Sequence, residues 1–168
     1  MNERRFPTEE EVNTWLADRH AASHGSVAKV DQVEAAAEET LTRTKKAARI
    51  GLNLGLDASI HIGEESTNPL IVRLAARMLL TAKSAGVTPF CPHVDQVRPL
   101  YILCDPPSIV CTDCIATAAE RMVGQPFRWE GQCDACGSRD ALGHVMVNLD
   151  HMIIGGNVCA QCNPHFKT

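Results

Sequence analysis

Four short segments decide how the second half of this chain folds: Cys91-Pro92-His93, Cys111-Thr112-Asp113-Cys114, Cys133-Asp134-Ala135-Cys136 and Cys159-Ala160-Gln161-Cys162. Each segment places two metal-ligating side chains on one tight turn. Two such ligands fit two corners of a tetrahedral Zn²⁺ site, in which the bonds are about 2.0–2.3 Å long. The four half-sites therefore predict two closed sites that bind two zinc ions.

We expect these half-sites to pair in the order in which they occur along the chain. The predicted ligands of the first site are Cys91, His93, Cys111 and Cys114. The predicted ligands of the second site are Cys133, Cys136, Cys159 and Cys162.

Two alternatives to this assignment stay open at the level of sequence. The middle two pairs are separated by 18 residues, from Cys114 to Cys133, and this spacing also fits a zinc ribbon. Cys104 has no partner nearby in the sequence and could replace His93 as a ligand. Otherwise Cys104 is expected to be a buried thiol that behaves as a small apolar side chain.

The segments around the ligands predict small hairpin-based units. Residues 89–123 combine a proline-flanked turn, a hairpin and a helical stripe that begins at Ile115, an arrangement that resembles the treble-clef zinc fold. In the second unit, Gly137 follows the ligand pair and permits a left-handed turn, and strands are predicted at 142–149 and 152–154. The 22 residues between the second unit's ligand pairs suit a zinc ribbon or a treble clef.

The first half of the chain contains no cysteine and has helical signals. Thr8 and Glu11 form a predicted capping box, and Asn68-Pro69 marks the start of a helix that Gly86 ends. A second helix is predicted at 30–50, and the alternation at 52–62 predicts a strand or hairpin. We therefore expect an α+β protein with a helical region at 1–88 and zinc-binding units at 89–124 and 125–168.

Composition indicates a metal-stabilised protein of the cytoplasm. Only two Trp, one Tyr and four Phe occur among 168 residues, so aromatic packing contributes little to the core and bound metal is expected to add order. The sequence shows neither a secretion signal nor a membrane-spanning run. In the reducing cytosol, paired thiols favour metal over disulfides. We expect zinc removal to unfold the C-terminal half while the helix at 68–86 keeps much of its helicity.

Charge and motifs favour a non-enzymatic adaptor or regulator that acts through protein contacts. The net charge is −4, and Glu38 and Glu39 precede the basic residues at 43–49, as on a solvated helix face. The alternative is a nucleic-acid-binding zinc-finger protein, which would need a basic surface. A zinc enzyme would need an open coordination position, whereas four protein ligands are predicted at each site. Iron–sulfur ligation by four cysteines is possible in principle, and a metal assay would decide.

Overall fold

The computed structural model describes residues 4–22, 32, 35–40, 42–43, 58–61, 68–95, 97–122, 129, 131–140 and 142–163. In this part of the chain the helices are α1 (Glu9–Ala22), α2 (Pro69–Ser84) and α3 (Ile115–Met122). The strands are β1 (Ala58–His61), β2 (Thr88–Pro89), β3 (Leu100–Cys104), β4 (Pro107–Cys111), β5 (Leu142–Leu149) and β6 (Met152–Cys159). A 3₁₀ turn covers Pro92–Asp95, and residues 35–40 are helical.

The helix signals of the N-terminal half are confirmed. The Thr8 backbone N–H donates to the Glu11 carboxylate at 2.8 Å, and the Glu11 N–H donates to the Thr8 hydroxyl at 3.3 Å, which is a capping box. At the start of α2, the Asn68 side chain accepts a hydrogen bond from the Leu70 N–H at 3.0 Å. Gly86 follows α2 with φ 85°. Residues 32, 35–40 and 42–43 of the predicted helix at 30–50 are helical, and residues 58–61 of the predicted strand at 52–62 form β1. The other residues of these two predicted elements lie outside the described part of the chain.

All six strands lie in one mixed sheet with the order β1-β5-β6-β3-β4-β2. The hairpins β3–β4 and β5–β6 are antiparallel, and they join through parallel pairing of β3 with β6. The register places Ile102 beside Ile154, and Ile154 beside Val147. The sequence predicts the two hairpins, and the structure adds the pairing between them.

One face of the sheet packs on α2 and forms the main core. Ile71, Leu74 and Met78 of α2 belong to the same buried cluster as strand residues from β3, β5 and β6. Cys133 and Cys159 also belong to this cluster. The main core therefore joins the helical half of the chain to the cysteine-rich half, and the predicted α+β class is confirmed. The division into units at 1–88, 89–124 and 125–168 stays a prediction.

Helix α1 packs on the core through Val12 and Trp15, and ion pairs add to this attachment. Arg73 and Arg77 of α2 pair with Glu9 at the start of α1. Near the end of α1, Arg19 forms two hydrogen bonds, at 2.9 and 2.5 Å, with Asp150 in the turn between β5 and β6. Among the described helices, none is both long and apolar enough to span a bilayer.

Candidate metal centres

The first centre comprises the side chains of Cys91, His93, Cys111 and Cys114, whose ligand atoms all lie within 4.8 Å of one another. His93 lies in the 3₁₀ turn, Cys91 directly precedes this turn, and Cys111 is the last residue of β4. Cys114 directly precedes α3, and its carbonyl accepts the Ala118 N–H at 3.0 Å. The backbone N–H of Cys111 donates to Cys91 Sγ at 3.5 Å, which ties the two ligand pairs together.

His93 presents Nδ1 to the sulfurs of the first centre. The Nδ1 atom lies 3.6 Å from Cys111 Sγ and 3.5 Å from Cys114 Sγ. A tetrahedral ion with a 2.3 Å bond to sulfur and a 2.0–2.1 Å bond to nitrogen separates two such ligand atoms by about 3.6 Å. The distances therefore fit a tetrahedral ion bound through Nδ1.

The second centre comprises Cys133, Cys136, Cys159 and Cys162, whose sulfurs also lie within 4.8 Å of one another. The distance between Cys136 Sγ and Cys159 Sγ is 3.7 Å. This is close to the edge of about 3.8 Å expected for a tetrahedron with 2.3 Å metal–sulfur bonds. All eight cysteines of the chain are free thiols, so neither cluster contains a disulfide.

The turn at Cys133–Cys136 has the conformation that its sequence predicts. Gly137 has φ +79°, as expected for the glycine after the second ligand, and its N–H donates to the Cys133 carbonyl at 2.9 Å. The Ala135 N–H donates to Cys133 Sγ at 3.4 Å. At the other ligand pair, the Cys162 N–H donates to the Cys159 carbonyl at 3.0 Å. Backbone hydrogen bonds thus hold both turns.

Hydrogen bonds between neighbouring sulfurs give the cysteines of each cluster different pKa values. In the first centre, burial opposes ionisation of Cys111, but hydrogen bonds from Cys114, His93 and Cys91 outweigh it and lower the pKa of Cys111 to about 6. The hydrogen bond to Cys111 raises the pKa of Cys114 to about 11. In the second centre, the hydrogen bond from Cys162 is the main cause that lowers the pKa of Cys133 to about 4. A metal that binds these sulfurs would displace the protons that they carry.

The structure separates Cys104 from the first centre. Leu100 lies beside Cys111 in the sheet, whereas Cys104 lies beside Pro107 at the opposite end of β3. Four residues of strand separate these positions by about 13 Å. The Cys104 side chain is fully buried, its Sγ donates to the Met78 carbonyl at 3.8 Å, and burial raises the pKa of the thiol. Cys104 is thus a core residue.

The two centres lie at opposite ends of the sheet. Cys111 is next to Leu100, which pairs with Met152 at the start of β6, whereas Cys159 is at the end of β6. The seven-residue rise from Met152 to Cys159 is about 23 Å. The structure therefore brings the half-sites together in chain order, as two separate centres. Cys111 and Cys114 do not meet Cys133 and Cys136.

Sequence reasoning missed an aspartate inside a ligand turn at each centre, each paired with an arginine from the first 43 residues. Asp113 Oδ1 lies 2.8 Å from Arg43 Nη1, and Asp134 forms an ion pair with Arg4. Burial is the main reason that the pKa of Asp134 is raised, and Arg4 opposes this effect. The only signal in the sequence is an Asp between two cysteines in each of these Cys-x-x-Cys turns.

Comparisons with protein-family models, with curated proteins and with solved structures found no match to this chain. The chemistry of the two clusters therefore has to be inferred from their own geometry.

A comparison of variants at His93 and Cys104 tests the ligand assignment of the first centre. We expect His93→Ala to weaken metal binding there by at least about 100-fold, because a ligand is lost and even outer residues of metal sites contribute 10–100-fold. Cys104→Ala should leave the first centre loaded, since its thiol lies at the far end of β3 from Cys111. Titration with a competing chromophoric chelator measures both variants. Loss of metal from Cys104→Ala alone would contradict the assignment.

Proposed function

We propose that this chain is a cytosolic zinc-binding protein with two structural centres, which acts as an adaptor or regulator through protein contacts. The observation that carries the proposal is the matched spacing of the ligand atoms, 3.5 and 3.6 Å in the first centre and 3.7 Å in the second. Sulfur-rich tetrahedral sites are typical of zinc, and sites with four protein ligands are structural because they leave no position for a substrate.

The units around the centres support treble-clef-like and ribbon-like assignments. In the first unit, the 3₁₀ turn, the β3–β4 hairpin and α3 follow one another, and the second ligand pair leads into the helix. In the second unit, a ligand turn precedes the β5–β6 hairpin, and the second pair follows β6. We assign the first unit to the treble-clef type and the second to the ribbon type on this order of elements.

Ion pairing within the chain weighs against the nucleic-acid alternative. Six arginines form ion pairs with carboxylates of the chain: Arg4, Arg5, Arg19, Arg43, Arg73 and Arg77. An arginine that already has a carboxylate partner neutralises a phosphate only by giving up that partner. Nucleic-acid affinity depends on such neutralisation, and the net charge of −4 opposes it. Salt-dependent binding of duplex DNA or RNA would support the alternative.

Metal stoichiometry tests the zinc assignment. We expect two zinc ions per chain, because four half-sites form two separate clusters of four ligand atoms. Elemental analysis of protein purified under reducing conditions gives the number and identity of the ions. The paired variant Cys114→Ser and Cys162→Ser, one ligand from each centre, should lower the content towards zero. One ion per chain, or iron with visible absorption, would overturn the assignment.

A further inference from the structure

The N-terminal arm, defined as residues Arg4–Pro7, is anchored on the second metal centre. Arg4 forms an ion pair with Asp134, and the two side chains are only 2% and 3% exposed. Asp134 lies between the ligands Cys133 and Cys136 in the sequence. The arm is therefore attached to a residue whose position is set by the ligand turn.

Asp134 also connects the two ligand pairs of this centre. Its Oδ2 accepts a hydrogen bond from the Asn157 N–H at 2.6 Å, and its own N–H donates to the Asn157 carbonyl at 2.7 Å. Asn157 lies two residues before the ligand Cys159. The neighbouring Gly156 has no room for a Cβ, because this atom would collide with the Asp134 carboxylate. Arg4 thus reaches both ligand pairs through a single carboxylate.

Two aromatic side chains complete the attachment of the arm. The Arg4 guanidinium lies 4.9 Å from the ring centre of Trp129 and 5.4 Å from that of Phe6. The Phe6 ring packs against Gly137, where an added Cβ would lie 2.6 Å from a ring carbon. Gly137 directly follows the ligand Cys136, so the arm contacts the ligand turn at two points.

The first centre has a similar pair in a different environment. Arg43 pairs with Asp113 inside the Cys111–Cys114 turn, but these side chains are 39% and 62% exposed. An exposed ion pair contributes little to stability, whereas removing one partner of a buried pair leaves an uncompensated charge. The chain therefore contains its own matched control for the effect of Arg4.

We propose that the N-terminal arm is a latch whose docking is coupled to metal occupancy of the second centre. This inference rests on the proposed function, because it requires that the second cluster holds a metal. The metal fixes the Cys133–Cys136 turn and so places Asp134 and Gly137 where Arg4 and Phe6 dock. The docked arm in turn compensates the charge of Asp134 beside the thiolates and covers the turn. Such coupling is reciprocal, so each event stabilises the other.

Metal release from the full-length, metal-loaded chain tests one direction of this coupling. Loading with ¹¹³Cd gives separate NMR signals for the two centres, since one has four sulfurs and the other three sulfurs and a nitrogen. We expect Arg4→Met to accelerate release from the second centre to a chelator at least tenfold, with less than a twofold change at the first centre. Arg43→Met should change neither rate by more than twofold, and Arg4→Lys should restore part of the retention. Equal rates for Arg4→Met and Arg43→Met would overturn the latch.

Trypsin cleavage of the wild-type chain tests the other direction and does not depend on the folding of any variant. Intact-mass analysis follows cleavage after Arg5 as chelator is added. We expect this cut to become at least tenfold faster as the second centre empties and to appear before cuts at Arg73, Arg77 and Lys83, because the arm undocks as metal leaves and α2 unfolds only afterwards with the core. Cuts that appear at all of these sites at the same time would show that the chain simply unfolds, and would overturn the latch. If wild-type chain binds no metal in either centre, the proposed function itself fails, and elemental analysis shows this independently.

Discussion

Cys159→Ser is expected to abolish metal binding at the second centre and to unfold the sheet together with α2. Cys159 is fully buried at the end of β6 and belongs to the same core as Leu74 and Met78 of α2. Structural zinc contributes roughly 10–16 kcal/mol of apparent binding free energy in small peptides. Domains of this kind have a free energy of unfolding of roughly 5–15 kcal/mol. The binding free energy lost with this centre is therefore larger than the remaining packing can offset.

Circular dichroism and amide NMR dispersion measure this effect. Ala160→Ser is the matched control, because it places a hydroxyl one residue further along on an exposed side chain and removes no ligand. The sequence alone predicts that α2 keeps its helicity without zinc. The shared core changes that expectation, and α2 should lose its helical signal with the sheet. A Cys159→Ser chain with native dispersion would show that the second centre is not structural.

Met78→Ala is expected to lower the free energy of unfolding by about 2–5 kcal/mol, the usual cost of truncating a large buried side chain. Met78 is fully buried in the middle of α2, and its methyl group lies against Gly156 of β6. Removing the side chain leaves a cavity between the helix and the strand that leads to Cys159.

Urea denaturation of the metal-loaded chain measures this loss. Leu70→Ala is the control on the same helix, since Leu70 is 58% exposed, and its effect should stay within about 0.5 kcal/mol. Equal losses for the two variants would contradict the assignment of α2 to the core.

Local signals in the sequence are sufficient for the elements and for the ligand pairs. The Thr8 and Asn68 caps, the left-handed Gly137 and the two hairpins each depend on residues within a few positions of one another. The pairing of half-sites also follows, because a hairpin returns the chain to its starting point. The grouping of the ligands into two clusters can therefore be predicted from the order and spacing of the cysteines and His93.

Long-range contacts cannot be predicted in the same way. Arg4 and Asp134 are 130 residues apart, and neither has a periodic pattern that indicates a partner. The parallel pairings of β3 with β6 and of β1 with β5 likewise join segments whose sequences specify only a strand. The position of Cys104 depends on register, because a strand residue lies near one end of the sheet or the other according to its pairing.

Because β3 pairs with β6 in parallel, the two cysteine-rich hairpins belong to one sheet. Neither hairpin can therefore be moved to another protein as an independent domain. A fragment that ended before β5 would expose the backbone N–H and C=O groups of Leu100–Leu103, and a fragment that began after β4 would expose those of Met152–Gly155. Unpaired strand edges of this kind recruit other strands and promote aggregation. Insertions and duplications in this chain are therefore expected to keep the two hairpins together as one unit.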